Sequence, residues 1–100
     1  MAKFDIYKCS TEGVDYLLDL QDEMLENLST RVVAPLVSTV NIGRQIQTLN
    51  PRMRIAGQEY LLTVHLLAAV PASALKECVS SAASQRDEII AAIDLLFTGI

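Results

Sequence analysis

One hundred residues with a formal net charge of −4 allow a single domain with a modest core and no deep substrate cleft. Hydrophobic residues make up 51% of the chain, yet it holds only two Phe, three Tyr and no Trp, so the core must be aliphatic. The acidic balance disfavours a binder of nucleic-acid backbone, and no apolar stretch approaches the roughly 20 residues of a membrane span. The first residues carry no signal-peptide pattern, which makes the cytoplasm the expected compartment.

Residues 3–7 alternate, with Phe4 and Ile6 on one side and Asp5 and Tyr7 on the other, and predict a strand. Residues 9–13 are turn material, and 16–21 predict the strand that returns antiparallel. Residues 22–30 are polar except for Met24, Leu25 and Leu28 and read as a loop. A β-rich run over 31–37 follows. Pro35 inside it cannot donate to a ladder, which predicts an edge or a bend in its second half. Residues 38–50 leave two options, a short helical turn lined by Val40, Ile42, Ile46 and Leu49 or an irregular connection, and Pro51 ends either one. Residues 53–62 predict a hairpin turning near Gly57. Residues 63–70 are an apolar run broken at Pro71, and the Ala- and Ser-rich stretch 72–83 is a connection with room for a short strand at 75–79.

Residues 87–100 predict an amphipathic helix running to the last residue, with Ser84 and Asp87 as an N-terminal capping pair. Ile89, Ile93, Leu96 and Ile100 form one stripe, flanked by Ile90, Ala92 and Phe97, while Asp87, Ala91, Asp94 and Thr98 fall opposite. An apolar tail of this kind either closes the protein's own core or enters a partner. No Lys or Arg follows Arg86, so the negative end of the helix dipole is unneutralised beside Asp94. Such an end, set among Leu95, Phe97 and Ile100, suits a partner offering arginines in an apolar setting. Several short strands followed by one late helix predict a mainly β fold, a small antiparallel barrel or curled sheet closed by that helix.

No catalytic constellation stands out. His65 is the single histidine and, within an apolar run, reads as a structural residue. Cys9 and Cys78 are far apart in sequence and read as two reduced thiols, without metal spacing. No cofactor is implied. Arg44, Arg52 and Arg54 form the one local basic cluster and read as solvated surface, and the paired acids at 22–23 and 87–88 read the same way. Asp19, Thr30 and Arg31 could serve a hydrolase, but nothing in their spacing singles them out.

Four segments nevertheless carry a resemblance: Asp19-Leu20-Gln21-Asp22, Thr30-Arg31-Val32-Val33-Ala34-Pro35-Leu36, Val70-Pro71 and Ala92-Ile93-Asp94-Leu95-Leu96-Phe97-Thr98-Gly99-Ile100. With the start Phe4-Asp5-Ile6-Tyr7 they resemble, in order and over the whole chain, the CcdB toxins of toxin–antitoxin modules. The resemblance implies a small SH3-like antiparallel β-barrel of the CcdB/Kid/MazF type, a C-terminal helix, and a homodimer formed along those helices. It implies a target, the DNA gyrase A subunit, trapped with its DNA cleaved, and a CcdA-like antitoxin whose disordered segment folds onto the toxin. Carried over by position, Ile93, Asp94, Phe97, Thr98, Gly99 and Ile100 would face gyrase, with Met24 and Leu25 contributing from the neighbouring loop. Two positions depart from the plasmid-borne members. Thr98 stands where they carry a tryptophan that stacks on a gyrase arginine, and Asp94 stands where they have an amide. The related Kid and MazF toxins cleave RNA, so an endoribonuclease is one alternative. A non-toxic relative that binds antitoxin and aids operon repression is another.

Overall fold

A computed structural model describes residues 3–9, 14–21, 28–39 and 49–99. The alternating first segments form β1 (Asp5–Lys8) and β2 (Tyr16–Asp19), an antiparallel pair that brings Ile6 opposite Leu18. The β-rich run forms the long strand β3 (Thr30–Ser38), and the predicted hairpin forms β4 (Arg52–Ile55) and β5 (Gln58–Leu62). Two short strands, β6 (Ala68–Pro71) and β7 (Cys78–Ser81), precede helix α1 (Arg86–Thr98). All ladders are antiparallel, in the order β4-β5-β3-β2-β1-β7, with β6 also on β3. The predicted turn at 9–13, most of the loop at 22–30 and most of 38–50 lie outside the described residues.

β3 organises this sheet. Along one edge it pairs with β2. Along the other it pairs with β6 through residues 30–33 and with β5 through residues 36–38. One strand thus borders three, and the sheet curls into a half-barrel. Its two ends, β4 and β7, share no ladder among the described residues. A side chain from the turn before α1 reaches β4 instead: Gln85 Nε2 donates to the Arg52 carbonyl at 2.8 Å.

Pro35 sits inside β3 and makes neither an edge nor a bend, contrary to the expectation from its chemistry. In an antiparallel strand the N–H and C=O of one residue point the same way. The Pro35 carbonyl accepts from the Thr63 amide at 2.9 Å and from Thr63 Oγ1 at 2.8 Å. The missing donor therefore faces the gap where β5 has ended and β6 has not begun, and no bond to β2 is lost. The apolar run 63–70 splits at this gap into a 3₁₀ turn, Val64–Leu66, and β6.

The inner face of the curl gathers Phe4, Ile6, Leu18, Ala34, Leu36, Tyr60 and Leu62, and α1 covers it with Ile89 and Ala92, both 0% exposed. Burying Ile89 contributes about 1.5–3 kcal/mol. The opposite face carries a smaller cluster of Tyr7, Leu17, Val33 and Leu75. Leu75, the first residue of the strand expected at 75–79, is buried there but lies outside any strand; the observed β7 starts at Cys78, which pairs with Tyr7 of β1. The expected capping pair does not form: α1 begins after Gln85 without a side-chain cap, and Ser84 is exposed in the 3₁₀ turn Ala83–Gln85. That turn has no side-chain cap either; Ser81 Oγ accepts from the Ala83 amide at 3.2 Å in the link that leads into it.

Ala56 (φ 52°) and Gly57 (φ 82°) close the two-residue β4–β5 turn in the left-handed region. Two successive positive φ values define the primed turn that matches strand twist and favours Asn-Gly. Alanine is strained there. Ala56→Asn is expected to raise stability by about 0.5–1 kcal/mol in urea unfolding; a lower midpoint would contradict the turn assignment.

Candidate functional site at the helix end

α1 is anchored on one side and bare at one end. Ile90, Ile93 and Leu96 are half-buried and pack on the core beside Ile89 and Ala92. The sequence stripe is therefore correct as far as Leu96, but Phe97 on its flank is 70% exposed. Asp94, Thr98 and Gly99 are exposed with it. The helix stops at Thr98 rather than running to the last residue. Gly99 takes φ 73° and its amide donates to the Leu95 carbonyl at 3.0 Å, a left-handed termination that glycine accommodates without a Cβ penalty.

Charge at this end is one-sided. Asp87 and Glu88 complement the positive dipole end in the first turn, whereas no basic residue lies in the last turn. Asp94 makes no ion pair among the described residues. Thr98 Oγ1 donates back to the Asp94 carbonyl at 2.6 Å, so its hydroxyl is spent on the helix and the side chain offers chiefly a methyl group outward. Of the residues expected to face a partner, the structure brings Asp94, Phe97, Thr98 and Gly99 together at the tip and leaves Ile93 half in the core. Met24, Leu25 and Ile100 lie outside the described residues.

Other candidates resolve differently. Asp19 and Arg31, twelve positions apart, meet in a fully buried pair: Arg31 Nη2 lies 2.8 Å and Nε 3.2 Å from Asp19 Oδ2, and both side chains are 0% exposed. Arg31 Nη2 also donates to the Gln21 carbonyl at 2.9 Å. Gln21 extends the network, donating its backbone amide to Asp19 Oδ1 and accepting the Val32 amide on Oε1, while Arg31 Nη1 has no hydrogen-bond partner among the described residues. Thr30 beside them is exposed and pairs across from Pro71 on β6. Tyr7 stands near this pair; burial, reinforced by Asp5, Cys78 and Asp19, pushes its hydroxyl pKa up to about 12 against the opposing pull of Arg31.

His65 is exposed on the 3₁₀ turn rather than inside an apolar strand, with Nδ1 3.4 Å from Asn50 Nδ2. Arg52 and Arg54 are surface residues of the hairpin, satisfied by Glu59 and the Gly57 carbonyl. Cys9 is half-buried, Cys78 exposed, and neither forms a disulfide. Among the described residues no group of three His, Cys, Asp or Glu could hold a metal, and no helix is long and apolar enough to cross a membrane. Sequence reasoning missed one feature, an apolar groove of about 200 Å³ on the outer face, lined by residues including Cys9, Leu17, Val33, Pro35, Leu66 and Val70. Its wall comes from separate segments, and exposed Leu66 was its one local signal.

A curled antiparallel sheet with a single terminal helix is shared with several solved structures. The chain aligns with the Mycobacterium tuberculosis toxin MazF-mt6 at a TM-score of 0.79 and 19% identity, covering 93% of this chain and 95% of that one. An endoribonuclease in complex with its cognate antitoxin, from a mycobacterial species, aligns at 0.76 and 12% identity, covering 96% and 93%. A further structure, described as an Mtb toxin, aligns at 0.76 and 18% identity, covering 92% and 99%. No curated protein matches the sequence. Residues 3–99 match the family described as CcdB protein, and the chain belongs to that family.

The Asp19–Arg31 pair yields a stability test. Arg31→Met alone strands a buried carboxylate and should cost about 3–5 kcal/mol in urea unfolding, whereas Asp19→Leu/Arg31→Met should recover most of that loss. A single variant within about 1 kcal/mol of wild type would show that the pair is not desolvated as described.

Proposed function

We propose that this chain is a non-enzymatic poison of DNA gyrase that acts through the end of α1. The carrying observation is Phe97, 70% exposed on the last turn of a helix whose other side is fixed to the core. A large exposed aromatic on a rigid element is the kind of group enriched at the core of protein interfaces. In this reading Asp94, Phe97, Thr98, Gly99 and Ile100 contact the gyrase A subunit, Ile93 supports them, and Met24 and Leu25 add the neighbouring loop. The toxin works as a homodimer whose helix ends lie side by side, so a two-fold enzyme is engaged twice. It acts in the cytoplasm and is neutralised by a CcdA-like antitoxin segment that folds on binding. A closed SH3-like barrel would complete the half-barrel seen here. Thr98 supplies no ring, so contact energy rests on Phe97 more heavily than in relatives with tryptophan.

An endoribonuclease is the second reading, favoured by the fold shared with the mycobacterial endoribonucleases. The buried Asp19–Arg31 pair weighs against it, since neither side chain can reach a phosphodiester at 0% exposure. One assay separates the two. Purified toxin, host gyrase, plasmid DNA and ATP should yield cleaved, gyrase-linked DNA, and deletion of Gly99 and Ile100 should abolish it while dimer and fold persist. Full cleavage by the deleted form would end the tail-contact reading. Absence of any gyrase effect, with cleavage of RNA in a parallel reaction, would transfer the assignment to the endoribonuclease.

A further inference from the structure

We infer that Gln85 is a latch that holds the chain leading into α1 against the free edge of β4, and that its release opens the seam of the half-barrel next to Met53. The place of the acceptor follows from the ladder. The Pro51 carbonyl accepts the Leu62 amide of β5 at 2.9 Å. Successive carbonyls of a strand point to opposite sides. The Arg52 carbonyl therefore points away from β5, to the edge of β4 that no strand covers among the described residues. Gln85 Nε2 donates to that carbonyl at 2.8 Å.

The stretch tied down in this way has few other anchors. Ala82 and Ile89 bound it, 3% and 0% exposed, and the Ala82 amide bonds to the Phe4 carbonyl. Residues 83–88 between them bury no side chain, and neither the 3₁₀ turn Ala83–Gln85 nor α1 starts with a side-chain cap. Among the described residues, Gln85 is the member of this stretch whose side chain bonds to another element. β4 is lightly held as well: it pairs with β5 alone, yet its Met53 and Ile55 are 3% and 6% exposed and belong to the same core cluster as Ile89. Segments with so few buried anchors open at lower free energy than the whole molecule. Ile89 and Ala92 keep the middle of α1 in place while its start lifts, so the opening is local.

Hydrogen peroxide applied to the full-length protein under native conditions reads this opening. It transfers one oxygen atom to an accessible methionine thioether, leaving the sulfoxide and water, and peptide mass spectrometry follows Met53. In wild type, oxidation of Met53 should rise only slightly with urea below the unfolding transition, whereas amide exchange in β2 and β3 should rise steeply. Gln85→Ala should speed the oxidation about fivefold, the weight of one ordinary hydrogen bond. Gln85→Glu, which replaces the donor with a carboxylate, should do the same at neutral pH. Arg52→Ala leaves the accepting carbonyl in place and should stay within about twofold of wild type. Met53 oxidation that follows β2 and β3 exchange across the urea series would overturn the local opening. A Gln85→Ala rate within about twofold of wild type would overturn the latch.

Discussion

The register of β3 against its three neighbours is the constraint on which the molecule depends. Side chains alternate between faces, so a slip of one residue would move the apolar set from the core to the outside. Two features on opposite sides of the strand prevent that slip. On the inner face Ala34 and Leu36 are 0% exposed beneath the curl, and on the outer face Arg31 is locked to Asp19 and to the Gln21 carbonyl. A buried ion pair is weak evidence for net stability, because desolvation offsets its attraction. Its geometric demand is strict, however, and a misaligned strand would leave a charge unpaired in the interior.

From that register the position of the helix follows. β1 and β7 are brought to one end of the curl, and the chain leaves β7 beside the inner face. Phe4 helps to set this exit: at φ 70° it is strained, its amide bonds to the Asp19 carbonyl, and its own carbonyl accepts the Ala82 amide just before the helix begins. Ile89 and Ala92 then seal the core. The packing surface is used up after Leu96, and the last turn projects beyond it. Exposure of Phe97 is thus a consequence of helix length exceeding the face it covers, and it places an aromatic group and a lone acid on a rigid support.

Local features were legible in the sequence. The alternation of Asp5-Ile6-Tyr7, the turn at Gly57 and the stripe Ile89, Ile93, Leu96 each depend on neighbours within a few residues and were found in the expected elements, although Phe4, at φ 70°, lies in a turn before β1. What depends on distant partners was not legible. The cost of Pro35 could be judged only once Thr63 was known to approach it. Asp19 and Arg31 gave no sign of pairing across twelve positions, and the partition of Thr63 to Val70 into turn and strand reflects the space left beside β3. The helix start was misjudged for a related reason: a 3₁₀ turn leads into α1, and neither element has a side-chain cap. At the site, the residues of the tip were legible and their roles were not, since the periodicity that places Phe97 beside the stripe does not say where the core ends.

The central claim is that the last turn of α1, and not the outer-face groove, meets gyrase. Backbone amide hydrogen exchange of the protein, alone and with an excess of gyrase A subunit, tests it directly. Protection confined to the last two turns of α1, with β6 and the turn around Leu66 unchanged, is the predicted result. Protection along β6 and around Leu66 with the helix end still exchanging freely would contradict it.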